Sequence, residues 1–147
     1  MKRILHVLCI MAMLFACGCS VVHEDTMHTP VDTFFAGLNE GDFEKYKMSY
    51  LPETLESMDL FRFEAQYIDY RKSMQGERVI YEVLEEEALS GKLAEDVKRL
   101  YCDERGIEYE QLGCVRIRSN LKGMSQKAYC IKTNGKWSIL SWFTLKE

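Results

Sequence analysis

The hydrophobic period of this chain changes at Gly76, and that change limits what the chain can fold into. Before it, apolar residues recur at helical spacing. Val31, Phe34, Phe35 and Leu38 follow at i, i+3, i+4 and i+7, one face of an amphipathic helix. Thr29 reads as its N-cap, Pro30 suits the first helical position, and Asp32 completes a T-x-x-D capping box. Gly41 stops this helix, and Asp42 caps a second, short one carrying Phe43, Tyr46 and Tyr50, which Pro52 ends. A third helix is predicted over Glu53 to Met74, with Leu60, Phe63, Tyr67, Tyr70 and Met74 on one side. Phe61, Ala65 and Ile68 widen that face, so the helix is expected to be covered on more than one side.

After Gly76 the pattern belongs to strands. Arg78 to Glu85 is rich in β-branched and aromatic residues. Ser90 then caps a helix with Leu93, Val97, Leu100 and Tyr101 on one face, ended by Gly106. Three strands close the chain as a meander, at Gln111 to Asn120, Ser125 to Thr133 and Lys136 to Leu145. Asn134-Gly135 between the last two is the strongest short hairpin signal. Helices followed by an antiparallel sheet define an α+β domain, and 147 residues suffice for one such domain, not two.

The N-terminus carries a different signal. Lys2 and Arg3 precede Ile4 to Ala16, thirteen residues broken only by His6. A membrane-spanning helix needs ~20 residues, whereas thirteen is the length of a signal-peptide core. Leu14-Phe15-Ala16-Cys17 resembles the bacterial lipobox, in which the cysteine thiol receives a diacylglycerol and the preceding peptide is removed. Residues 1–16 are then a lipoprotein leader and Cys17 the acylated residue. Ala16-Cys17-Gly18-Cys19 is an overlapping match that keeps Cys19 as the alternative. Residues 17–29 read as a tether, since Ser20 to Thr29 is polar and aperiodic, and the folded domain occupies 30–147. His23 and His28, near Glu24 and Asp25, have metal-ligand chemistry, but a tether does not pre-organise them, so no metal is expected.

The formal net charge of −4 argues against nucleic acid as a partner. Losing Lys2 and Arg3 with the leader makes the remainder more acidic, so lipid and not electrostatics would hold it to a membrane. His6, His23 and His28 are the only histidines and all precede the predicted domain. Catalysis by Ser-His-Asp, Cys-His or His-metal sets is therefore not expected, nor is a cofactor. Cys102 lacks a histidine to activate it and reads as structural. Glu85-Glu86-Glu87 alternates between faces and reads as a solvated strand end.

Thr29-Pro30, Phe34-Phe35, Leu38 and Gly41-Asp42 at the front, with Gly135-Lys136-Trp137-Ser138-Ile139 at the back, resemble small bacterial lipoproteins of the nuclear transport factor 2-like fold. The resemblance brackets the domain through short, mainly structural motifs, and the helix near residues 90–105 departs from it. It implies a cistern-like cone, related to the cystatin-like arrangement, with helices packed on a strongly curved antiparallel sheet. Such cones often enclose a small apolar pocket, and the fold implies no single activity. Isomerase pockets of this fold use a carboxylate base with a tyrosine donor. Asp59, Asp69, Tyr67 and Tyr81 have those residue types, against the plainer reading as solvated helix residues and core.

Cys114 and Cys130 are symmetric about Lys122, so a tight turn at Leu121-Lys122-Gly123 would set them directly opposite, within bridging range. Two reduced core thiols are the alternative. The same pairing puts Val115, Ile117, Tyr129, Ile131, Leu140 and Trp142 on the face under the helices. Tyr67, Tyr129 and Trp142 then line any pocket. Arg116, Arg118, Trp137, Ile139 and Phe143 fall on the other face, open to a second copy or an envelope protein unless the helix from Ser90 covers it. The functional expectation is a lipid-anchored binding or interaction module, with a low-turnover isomerase or dehydratase as the alternative.

Overall fold

The computed structural model describes residues 25–124 and 126–143, and across them helices are followed by a four-stranded antiparallel sheet. The helices are α1 (Thr29–Glu40), α2 (Phe43–Met48), α3 (Pro52–Ser57) and α4 (Leu60–Ser73). Strand β1 (Tyr81–Ala88) precedes helix α5 (Gly91–Tyr101) and a 3₁₀ turn at Asp103–Arg105. Strands β2 (Gln111–Ser119), β3 (Lys127–Thr133) and β4 (Lys136–Phe143) complete a sheet of order β1-β2-β3-β4. The leader with Cys17 and Cys19, most of the expected tether, and the side chain of Phe143 lie outside the described residues.

Local chemistry explains where the elements begin and end. His28, not Thr29, is the N-cap of α1, and Thr29 is its first residue. The Thr29 hydroxyl instead accepts from the Thr26 backbone N–H at 2.9 Å. The Asp42 carboxylate accepts from the Lys45 N–H and starts α2 as expected. The long third helix is divided at Met58, whose ψ of 148° is extended. The cause is Asp59, which accepts from the N–H groups of Phe61 and Arg62 and so begins a new helix. Strand β1 starts three residues later than its β-branched run. Two asparagines occupy the backbone of that run: Asn39 bonds both polar groups of Val79, and Asn120 bonds Ile80 N–H and Arg78 C=O.

Two apolar clusters sandwich the sheet. On the helix side, Val115, Ile117, Ala128, Cys130, Trp137 and Ile139 pack with Val31, Phe34, Phe35, Leu38, Tyr46 and Phe63. On the far side, Leu112, Cys114, Tyr129, Ile131 and Leu140 pack with Leu51, Val97 and Cys102, flanked by Tyr101, Ile107 and Tyr109. Helix α5 and the loop after it therefore cover the far face from within the chain.

This arrangement corrects the expected β2–β3 register by one residue. Cys114 pairs with Tyr129, and Cys130 pairs with Gly113. Neighbouring residues of a strand point to opposite faces, so a one-residue slip exchanges the faces of one whole strand. The reason lies in the connection: Leu121 and Met124 are buried in the helix-side cluster, and the turn at Lys122-Gly123 sits within a longer loop between Ser119 and Lys127 and does not join the strands directly. Cys114 and Cys130 belong to different clusters and are free thiols, as is Cys102. Tyr129, Ile131 and Leu140 move to the far side, while Trp137 and Ile139 lie under the helices and are unavailable to a partner.

Candidate functional site

At the β4 edge of the sheet a groove of about 500 Å³ opens between the α2–α3 corner and the β3–β4 hairpin. Met48, Leu51, Pro52 and Leu55 supply its apolar surface, and Lys47, Lys136, Glu53 and Asn134 its polar rim. The edge itself is closed on either side of it. Leu51 N–H donates to Ile139 C=O, Ile139 N–H donates to Ser49 C=O, and the Asp25 carboxylate accepts from Trp137 N–H at 2.7 Å. Asn134 and Gly135 both have positive φ, which sets the tight hairpin turn that carries Lys136 to the rim. Lys47 is held by Glu44 at 2.8 Å, which leaves Lys136 as the rim cation with no carboxylate partner among the described residues.

Tyr50 lines this groove and also joins the aromatic interior behind it. There the rings of Phe34 and Tyr46 lie 4.8 Å apart, those of Phe34 and Trp142 5.0 Å, and those of Tyr46 and Tyr67 5.0 Å. Burial pushes the phenols of Tyr46 and Tyr50 well above their ordinary range. The Tyr67 hydroxyl is buried without a hydrogen-bond partner, and the Tyr46 hydroxyl and Trp142 Nε1–H face the Tyr50 hydroxyl without a hydrogen bond of good geometry. Ser49, Thr54 and Ser138 are the only buried polar residues among those described, so the interior holds no carboxylate.

The structure does not bring the expected site residues into one place. Tyr67 and Trp142 meet the same interior, but Tyr129 is on the far side of the sheet. Asp59 caps α4, and Asp69 points to solvent from the outer side of that helix. Tyr81 donates a short hydrogen bond to Asp32 and stacks on Phe35 at 4.1 Å. Arg116 and Arg118 pair with Glu85 and Glu82 on the acidic edge strand β1. The three thiols are raised by burial, which keeps them protonated and poorly nucleophilic.

Four residues expected to be tether are instead docked, and the local sequence carries no sign of it. From Asp25 at β4, residues 25–28 cross the end of the sheet to β1. The Met27 thioether sits in the space left by the absent side chain of Gly113. His28 Nδ1 meets Glu86 Oε1 at 2.7 Å, and Nε2 lies 3.8 Å from Asp32. The domain thus does contain a histidine, but its two carboxylate neighbours approach opposite ring nitrogens and share no common point for an ion. Asp25 is engaged elsewhere, and no group of His, Cys, Asp and Glu among the described residues can hold a metal. No helix among them is long and apolar enough to cross a membrane.

Comparison with protein-family models, curated proteins and solved structures finds no match to this chain.

Proposed function

We propose that this chain is a lipid-anchored protein of the bacterial envelope whose nuclear transport factor 2-like cone works as a binding module. The leader pattern and the cysteine at its end support the anchor, and the helix-then-sheet order supports the cone. The groove carries the binding reading. Its volume lies in the range of small-ligand sites, its surface is largely apolar, and at its rim stands Lys136, which has no carboxylate partner among the described residues. A ligand with an aliphatic body and an anionic head fits that chemistry, the head at Lys136 and the body over Met48 and Leu55.

Decanoate is a suitable probe with the full chain. A bound ligand stabilises by mass action, about 2.7 kcal/mol at a hundred times its dissociation constant. The expected result is a Tm raised by several degrees, lost in Met48→Glu and weakened in Lys136→Gln. No shift at millimolar decanoate would refute the ligand reading. The anchor is tested separately by palmitate labelling, expected to vanish in Cys17→Ala, or in Cys19→Ala if the second match is used. Labelling that survives both substitutions rejects the anchor.

A second reading, a low-turnover isomerase or dehydratase, draws on Tyr81 beside Asp32, a phenol in contact with a carboxylate. That carboxylate is half-exposed and outside the groove, so binding is the better-supported function.

A further inference from the structure

Helix α4 buries Phe63 and Tyr67 and presents the opposite side to solvent. On that side Phe61 is 80% exposed and Ile68 41%, with Ala65 between them, although their spacing is that of a covered stripe. At 100° per residue these three lie within ~60° of arc. Among the described residues nothing covers Phe61 and Ile68, and Ala65 between them is half-buried.

We infer that a second copy of this chain covers them, as an antiparallel pairing of α4 with its own image about a two-fold axis beside Ala65. The charges on the helix select this occupant. Arg62 and Asp69 flank the apolar stripe on the same side, seven residues and so ~10 Å apart along the axis. A two-fold axis between them sets each Arg62 against Asp69 of the other copy, and each Phe61 against Ile68. Both charges are available for this. Arg62 is 88% exposed and only loosely paired with Asp59 at 3.6 Å, and Asp69 has no ion-pair partner among the described residues. Ala65 at the centre lets the two helix axes approach within the ~8–10 Å of ordinary helix packing. Glu64 lies on the opposite flank next to the axis, where its two copies face each other and weaken the pairing.

Fourteen residues of helix are ~21 Å long and, at a width of ~10 Å, offer ~200 Å² of contact, well short of the ~800 Å² per partner of a standard complex. The dimer is therefore weak and transient. The inference is independent of the ligand and anchor readings.

Sedimentation velocity of the full chain in a non-ionic detergent, from 5 to about 500 μM, tests it against thermal melts of each variant. The expected result is a mass rising from one copy to two. Phe61→Glu should weaken association at least ~10-fold with an unchanged melt, because it sets a charge in the apolar contact of each copy. Arg62→Asp should weaken it several-fold and the double reversal Arg62→Asp/Asp69→Arg should restore it, while Glu64→Gln should tighten it. A single copy throughout the range overturns the inference, and so does association indifferent to Phe61→Glu. Failure of the double reversal to restore it overturns the antiparallel arrangement.

Discussion

Trp142 reaches the interior from the last strand and completes an aromatic cluster begun by Phe34 and Phe35 on α1. Its ring centroid lies 5.0 Å from that of Phe34, a contact distance at which neither ring leaves room beside the other. Trp142→Ala is therefore expected to cost about 3–5 kcal/mol in urea unfolding, the range for a packed aromatic. A loss below about 1 kcal/mol would mean the ring borders open space. Tyr46 gives the contrasting case. Its ring is wholly buried, and its hydroxyl faces that of Tyr50 without a hydrogen bond of good geometry, so the fold carries a desolvated polar atom with little return. Tyr46→Phe should be neutral or stabilising by up to about 1 kcal/mol.

At the scale of elements, the segment from Asp25 to His28 behaves as part of the domain. It ties β4, β2 and β1 together through Asp25, Met27 and His28 in turn. Gly113 is what admits it, since a Cβ there would lie well inside van der Waals contact of the Met27 thioether. Gly113→Ala should therefore displace Met27 and cost about 1–3 kcal/mol, the usual scale of overpacking. Adding Met27→Ala should recover most of the loss. Two independent, additive losses in that double-mutant cycle would show that the two residues do not meet. The opposite edge of the sheet, β1, is left unpaired but carries Glu82, Glu85, Glu86 and Glu87 and a bulge at Leu84, features that discourage pairing with another strand.

At the scale of the whole molecule, burial of neutral acids ties stability to alkaline pH. Tyr46, Tyr50 and Tyr81 are raised from 10.0, each mainly by burial, with the Asp32 bond adding to the effect at Tyr81. The Cys130 thiol is raised from 9.0 by burial as well. An unfolded chain releases these protons first, so their contribution is complete below pH 9 and is lost as pH climbs through 9 to 10 and beyond. Each of the fully buried groups, Tyr46, Tyr50 and Cys130, adds about 1.4 kcal/mol per pH unit to the decline once its unfolded form has ionised, and half-exposed Tyr81 adds less. Urea midpoints at pH 8, 9.5 and 10.5 should fall progressively, with a shallower decline in Tyr50→Phe. A midpoint independent of pH over that window would contradict the burial of these groups.

Local signals made part of this fold legible in the sequence. The helical stripe of α1, the Asp42 cap, the Asn134-Gly135 turn and the switch of period at Gly76 each act over a few residues, and each appears where the pattern sets it. Asp59 is equally local, yet inside a continuous apolar stripe it reads as a solvated helix residue or a pocket carboxylate and not as the cap that divides a helix. The rest depended on contacts between distant residues. The β2–β3 register followed from Leu121 and Met124 entering the core, not from the symmetry of two cysteines. Whether the far face lay open was decided by α5 and Leu51 packing across it, and the docking of Met27 by a missing side chain 86 positions away. By itself, then, the sequence determined the α+β order and the facing of α1, because propensity and capping are short-range, whereas Phe61 on α4 and Leu100 on α5 are exposed against their stripes. Only the tertiary structure decided which strand residues share a face and what the segment before the first helix does, because burial is a property of the assembled chain.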